Sequence, residues 1–115
     1  MEITLDSSKQ FPIVHLKGNF NSHNDSTNLI KIIEEEVLTN ISKFVVDLSE
    51  LQYMSSVGIG ALITVLTKTR RENGDLILTN LNDHVKKLLV MTKISSIFEV
   101  EEDLDKALNT LKNSK

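Results

Sequence analysis

The sequence predicts an α/β domain with a mixed sheet of four to five strands and about four helices. Two observations support this prediction. Short runs of alternating or β-branched residues recur along the chain, and after the first two runs they alternate with segments whose apolar residues repeat at helical spacing. Only a polar turn separates the first two runs, which indicates an N-terminal β-hairpin. Strands that alternate with helices after such a hairpin pair in parallel through right-handed crossovers.

The N-terminal part contains the predicted hairpin and the first helix. Residues 2–6 alternate apolar with polar, residues 7–10 form a polar turn, and residues 11–16 resume an extended pattern. Residues 18–25, GNFNSHND, are turn formers, which predict a loop and then a helix cap. A stripe of apolar residues from Ser26 or Thr27 to about Thr39 predicts the first helix, with three consecutive glutamates on its solvent-facing side.

The rest of the chain alternates strands and helices. The predicted elements are a strand at 43–48, a helix at about 57–72, a strand at 76–78, a helix capped by Asn82 or Asp83, an extended piece at 97–100 and a helix opened by Asp103. A length of 115 residues suits one compact domain, so residues 1–115 are predicted to form a single unit.

Composition excludes several classes of function. A net charge of -3 provides no basic surface for nucleic acid. The absence of cysteine rules out thiol chemistry and fits a reducing compartment, and we predict neither a metal site nor a cofactor. The first ten residues do not resemble a secretory signal, and the apolar run at 57–66 is too short to span a membrane. We therefore expect a cytoplasmic protein.

The stretch from Phe44 to Leu66, FVVDLSELQYMSSVGIGALITVL, contains the best candidate for a functional site. A buried strand leads through a short loop into the start of an apolar helix, with Ser55 and Ser56 at the joint. Either hydroxyl could cap the free N–H groups of the first helical turn, and spacing alone favours this structural role. A helix start also accommodates a phosphate group.

The pattern Asp-Leu-Ser-x-Leu-x-Tyr-Met-x-Ser-x-Gly-x-Gly-x-Leu at 47–62 resembles the core motif of STAS domains, specifically of bacterial anti-sigma factor antagonists. Residues 79–98 are similar to the strand-loop-helix-strand ending of that family, so the resemblance covers nearly the whole chain. The serine that the partner kinase phosphorylates in the family corresponds to Ser56. The chain departs from the common pattern at three positions, where acidic or small residues are usual: Asn21, Ser55 and Val57.

The resemblance implies a STAS fold and an anti-sigma factor antagonist that acts by partner switching. The protein would bind an ATP-binding anti-sigma factor serine kinase while Ser56 is unphosphorylated, release it once Ser56 is phosphorylated, and be reset by a phosphatase. ATP would belong to the kinase, and this chain, a monomer or weak dimer, would not be an enzyme. The implied partner surface consists of Asn21, Tyr53, Met54, Ser55, Val57, Gly58 and Gly60, with the two glycines permitting close approach of the backbone.

Two catalytic or signalling alternatives fit the sequence less well. A nucleophile elbow centred on Ser56 requires glycine where Met54 stands. The candidate bases His15, His23 and His84 fall in separate predicted elements, and no spacing argument unites them. A receiver domain with Asp47 as phosphate acceptor lacks the acidic pair expected after the first strand.

A closer alternative is a STAS domain that is never phosphorylated and serves as a fixed binding module of a transporter or a signalling scaffold. Asn21 and Ser55, in place of the usual acidic residues, favour this fixed module. Ser56, Gly58 and Gly60 favour the switch.

Overall fold

One mixed sheet organises residues 1–113, the part of the chain that the computed structural model describes. The elements are β1 (Glu2–Asp6), β2 (Ile13–Phe20), α1 (His23–Val37), β3 (Lys43–Met54), α2 (Ser56–Arg71), β4 (Asp75–Thr79), α3 (Asp83–Met91), β5 (Glu99–Glu101) and α4 (Leu104–Lys112). The strands lie in the order β1-β2-β3-β4-β5, with β1 antiparallel to β2 and all other neighbours parallel. The predicted mixed sheet, four helices and N-terminal hairpin are confirmed. Residues 114 and 115 of the predicted domain lie outside the described residues.

The two faces of the sheet are covered unequally. Helices α1, α2 and α3 pack on one face and form the larger core with alternate residues of the strands. On the other face α4 covers a smaller cluster, which consists of Ile13, Val45, Ile77, Ala107 and Leu111. Successive residues of a strand point to opposite faces, so the run 44–46 in β3 contributes to both cores. This explains why that run is apolar without interruption.

The central strands are longer than the sequence predicts. β2 continues to Phe20 and β3 to Met54, whereas the sequence indicated loops at 18–25 and after 48. The parallel pairing of β2 with β3 has two irregularities, between His15 and Lys17 and between Gly18 and Asn19, and at each of them β3 contains one extra residue. Such bulges interrupt the two-residue period. The prediction of early strand ends was therefore wrong.

The helix starts follow the capping chemistry of the sequence. Ser22 caps α1, because the Asp25 N–H donates to Ser22 Oγ at 3.1 Å. The helix therefore begins at His23 rather than at the predicted Ser26 or Thr27. Asn82, one of the two candidates that the sequence offers, caps α3, and Asp103 caps α4 as predicted. Over residues 1–113 no helix is both long enough and apolar enough to cross a bilayer.

Candidate functional site

The turn between β3 and α2 lies at the carboxyl edge of the sheet, beside the end of β2. Phe20 and Met54 are register partners at the ends of these two parallel strands. The Ser55 N–H donates to the carbonyl oxygen of Phe20 at 3.0 Å, which continues the pairing by one residue. The segment that follows Phe20, beginning with exposed Asn21, therefore emerges next to the serine turn.

The two adjacent serines have different roles. Ser55 is the N-cap of α2: it has extended backbone, and its Oγ accepts a hydrogen bond from the Val57 N–H at 3.2 Å. The Ser55 hydroxyl also lies 3.5 Å from the carbonyl oxygen of Phe20. Ser56 is the first residue of the helix and is exposed, and its hydroxyl has no hydrogen-bond partner within residues 1–113. The structure thus uses Ser55 for capping and leaves the Ser56 hydroxyl accessible.

The surroundings of Ser56 favour negative charge. It occupies the amino-terminal end of the sixteen-residue helix α2, where unpaired N–H groups and the helix dipole create positive potential. The first turn of α2 contains no acidic residue that would repel an added anion. A phosphoryl group at this position could accept hydrogen bonds from the first turn without unwinding the helix.

The predicted partner-surface residues are only partly at the surface. Tyr53 is 44% exposed, Asn21 and Gly60 are exposed, and Ser55 and Val57 are half-buried. Met54 is only 1% exposed, so the prediction that its side chain borders a partner surface needs correction. The extra residues in β3 place Met54 on the core face, beneath the start of α2.

The two glycines of α2 occupy different environments. Gly58 is buried, and a Cβ atom at its position would lie 2.5 Å from Cγ of Met54 and 2.9 Å from Cγ of Phe20. It is therefore required for the close packing of α2 on the ends of β2 and β3. A Cβ atom at Gly60 would meet no atom within 4 Å. Nothing inside the described chain requires glycine there.

His84, at the start of α3, reaches the same turn. Its ring stacks on that of Tyr53, with ring centroids 5.0 Å apart and an interplanar angle of 25°. Its Nε2 lies 3.4 Å from the Met54 carbonyl oxygen and 3.5 Å from the Met54 nitrogen, so it donates to the first or accepts from the second according to its tautomer. From the sequence His84 is only a possible base, because a contact between residues 30 positions apart leaves no local pattern.

A second contact fastens α3 to β3. Asn82 Nδ2 donates to the carbonyl oxygen of Leu51 at 2.7 Å, while its Oδ1 accepts from the Val85 N–H at 2.9 Å. The cap of α3 thus also fixes where this helix begins relative to the extended part of β3. With the contact from His84 to Met54, it holds the start of α3 against the strand that leads into the serine turn.

The other two histidines make no described contact with Ser56. His23 is exposed at the start of α1. His15 lies on the face of the sheet that carries α4, and its Nδ1 is 2.8 Å from Asp47 Oδ2. Asp47 Oδ1 also accepts from Asn80 Nδ2 at 2.9 Å and from the Ser49 N–H at 3.0 Å.

These contacts change the acidity of Asp47. Burial opposes ionisation and would raise the pKa of its carboxyl. The hydrogen bonds from Asn80, Ser49 and His15 together outweigh this effect and hold the pKa below its ordinary value. Asp47 is therefore ionised and its oxygens are occupied by hydrogen bonds, so its role is structural and it is not available as an acceptor.

Among residues 1–113 no group of three or more His, Asp or Glu side chains is arranged to hold a metal ion.

Comparison with known proteins gives one consistent result. The family model of the STAS domain matches residues 2–107. BtrV of Bordetella bronchiseptica, provisionally named an anti-sigma factor antagonist, is 29% identical over 118 aligned positions, which cover 99% of this chain and 97% of BtrV.

Solved structures agree with the family match at the level of the fold. An anti-sigma factor antagonist from Mycobacterium paratuberculosis superposes with a TM-score of 0.83 at 20% identity, over 97% of this chain and 94% of that one. The antagonist SpoIIAA in its unphosphorylated form gives 0.76 at 15% identity, over 97% and 99%. SpoIIAA of Bacillus in its phosphorylated form gives 0.73 at 14% identity, over 95% and 98%.

Proposed function

This chain belongs to the STAS domain family, and we propose that it is an anti-sigma factor antagonist that acts by partner switching. Unphosphorylated protein binds an ATP-binding anti-sigma factor serine kinase in the cytoplasm, as a monomer or weak dimer. Phosphorylation of Ser56 releases the kinase, and a phosphatase restores the binding form. The name of BtrV, which aligns with almost the whole chain, supports the antagonist assignment.

The observation that carries this proposal is the different use of the two serines. A kinase needs a hydroxyl that can enter its active site, and the Ser56 hydroxyl is exposed and makes no internal hydrogen bond among the described residues. Ser55 is half-buried and already accepts from the first turn of α2. That SpoIIAA has been solved in both forms supports the idea that this fold tolerates the modification.

The energetics suit a switch at an interface. A phosphoryl group adds about -1.5 to -2 charges and takes the net charge from -3 to about -5. The positive end of α2 stabilises this charge in the free protein. A partner that packs on a neutral hydroxyl must instead desolvate the phosphate, and a coupling of about 1–3 kcal/mol lowers affinity roughly 5- to 150-fold.

The proposed kinase-binding surface surrounds Ser56. It comprises the exposed or half-buried members of the predicted set, together with His84, and excludes Met54 and Gly58, which are both buried. Tyr53 and His84 form its aromatic edge through their stacked rings. Asn21 forms the opposite edge at the end of β2, and the bare backbone of Gly60 lies on the exposed side of α2.

Affinity capture from lysate of the native cell tests the proposal. The baits are wild type, Ser56→Ala, Ser56→Asp and, as a matched control, Ser95→Asp in the loop after α3. We expect an ATP-binding anti-sigma factor kinase on every bait except Ser56→Asp, and phosphate incorporation by that kinase into wild type and Ser95→Asp but not into Ser56→Ala. If all four baits retain the same transporter or scaffold protein, the chain is a fixed STAS module and the switch is refuted.

A further inference from the structure

The outer face of α3 combines exposed apolar side chains with unpaired positive charge. Val90 is 65% exposed and Met91 is 77% exposed, although Val85 and Leu89 on the inner face of the same helix are buried. A shallow groove is lined by Lys86, Lys87, Val90 and Met91, which we call the α3 surface. We infer that the α3 surface is a docking site for an acidic amphipathic segment of a protein partner.

The charge of this surface indicates the chemistry of its occupant. Lys86 and Lys87 make no ion pair within residues 1–113, and their aliphatic stems extend the apolar area around Val90. The chain as a whole carries a net charge of -3, so two adjacent lysines without an ion pair differ from the overall charge. Glu101 and Glu102 line a neighbouring hollow with Lys86, so the positive charge is strongest on the side of Lys87 and Met91. A segment with two or three apolar anchors flanked by Asp or Glu would cover the apolar side chains and pair with both ammonium groups.

A lipid surface fits the same patch less well. Helices that bind in the plane of a membrane bury a long apolar face. Helix α3 has only nine residues, and its inner face is already buried in the domain core. The exposed large apolar side chains of this helix are Val90 and Met91. Their combined area is too small for stable binding to a membrane.

A second copy of the chain is also a poorer occupant. Two regions of residues 1–113 combine acidic side chains with an exposed apolar one: the end of α1, where Glu34 and Glu35 precede Leu38 (83% exposed), and β5, where Glu99 and Glu101 flank Val100 (41% exposed). A contact between either region and the α3 surface would join two different patches. Such head-to-tail contacts form open chains unless their rotation closes a ring.

The α3 surface is continuous with the candidate site but does not depend on Ser56. His84, Lys87 and Met91 follow one another at spacings of three and four, so they lie along one side of α3. His84 stacks on Tyr53 beside the serine turn. A partner that covers Ser56 could therefore extend along α3, but the inference goes beyond the proposed switch and holds whether or not Ser56 is phosphorylated.

Titration of the isotope-labelled full chain by NMR tests the inference. The probe is a synthetic helical peptide of about 16 residues, with leucines at i and i+4 flanked by glutamates. Its matched controls replace every glutamate by glutamine or by lysine. We expect saturable shifts centred on residues 86–91, with a dissociation constant on the order of 0.1–1 mM that rises severalfold between low salt and about 0.5 M salt.

Variants of the chain locate the site. Lys86→Glu with Lys87→Glu should weaken the peptide about tenfold, since two attractive contacts become repulsive. The matched pair Lys9→Glu with Lys31→Glu, exposed lysines outside α3, should leave affinity within about twofold. Spectra of each variant verify that the fold is intact, and Val90→Ser with Met91→Ser should also reduce binding.

Several results would overturn the inference. These are equal binding of the lysine peptide, shifts centred away from α3, or no effect of the Lys86 and Lys87 reversal. Shifts of residues 86–91 caused by phosphatidylglycerol vesicles but not by the acidic peptide would assign the surface to a membrane. Shifts there that grow with concentration of the unlabelled chain alone would assign it to a second copy. Loss of the switch at Ser56 alters none of these readouts, so the two proposals fail separately.

Discussion

Two polar regions near the central strands differ in their role. In one the fold uses a polar group for stability, and in the other it leaves a polar group available. On the face that carries α4, the carboxylate of Asp47 is enclosed by donors from His15, Ser49 and Asn80. At the start of α2, just after β3, the Ser56 hydroxyl has no partner within the described residues. A buried polar group without a hydrogen bond destabilises the folded protein, whereas an exposed one is hydrated by water. The hydrogen-bonded cluster of Asp47 is therefore structural, and the Ser56 hydroxyl is available for modification.

The largest effect is expected beneath the serine turn, where packing rather than polarity is tested. Gly58→Val should lower the free energy of unfolding by about 3 kcal/mol, because its side chain must displace Met54 and Phe20. Urea denaturation followed by circular dichroism measures the change. Gly60→Ala is the control: with no atom near its Cβ position, it should be neutral or stabilise by up to about 1 kcal/mol. Similar losses for both variants would show that packing on Met54 is not the cause.

The Asp47 cluster should give the next largest effect. Asp47→Ala removes the acceptor of four donor groups, which belong to His15, Ser49 and Asn80, and should cost about 2 kcal/mol in urea denaturation. Its wild-type carboxylate has a lowered pKa in the folded state, so it contributes stability above its unfolded pKa of about 3.9 and loses that contribution as pH falls through the folded value. The slope of stability against pH below about pH 4 should therefore be shallower in Asp47→Ala. An unchanged slope would mean that other carboxylates dominate acid unfolding.

Replacing either serine by alanine should affect the stability of the fold to a different extent. The larger loss is expected at Ser55, and the smaller one at Ser56, the proposed phosphorylation site. Ser55→Ala removes the N-cap of α2 and should cost about 1 kcal/mol. Ser56→Ala removes a hydroxyl without an internal partner and should change the free energy of unfolding by less than about 0.5 kcal/mol. Parallel thermal melts compare the two. A larger loss of stability for Ser56→Ala than for Ser55→Ala would show that Ser56, and not Ser55, caps α2.

The smallest effect on the fold should accompany the largest effect on binding. Ser56→Asp places a negative charge at the start of α2, where the helix dipole favours it, so stability should change by at most about 0.5 kcal/mol. Its affinity for the captured kinase, measured by isothermal titration calorimetry, should fall at least about fivefold. A drop of several degrees in the melting temperature of Ser56→Asp would instead point to a packing role for this residue.

The sequence alone determined the types and order of the elements, the opening hairpin, the cap at Asp103, Asn82 or Asp83 as the cap of α3, and the motif that singles out Ser56. These follow from local periodicity, capping chemistry and family resemblance, all of which can be recognised in short segments of the sequence. It located the serine turn correctly, but it left open which of the two serines caps the helix.

The tertiary structure decided the rest. The bulged pairing of β2 with β3 extended both strands, turned Met54 into the core and gave Gly58 its packing role. The same pairing set Ser55 against the carbonyl oxygen of Phe20, and the docking of α3 brought His84 onto Tyr53. Each of these contacts joins residues about 30 or more positions apart or depends on a shift in strand register. Local patterns carry no information about either, because register and docking are set by how whole faces pack.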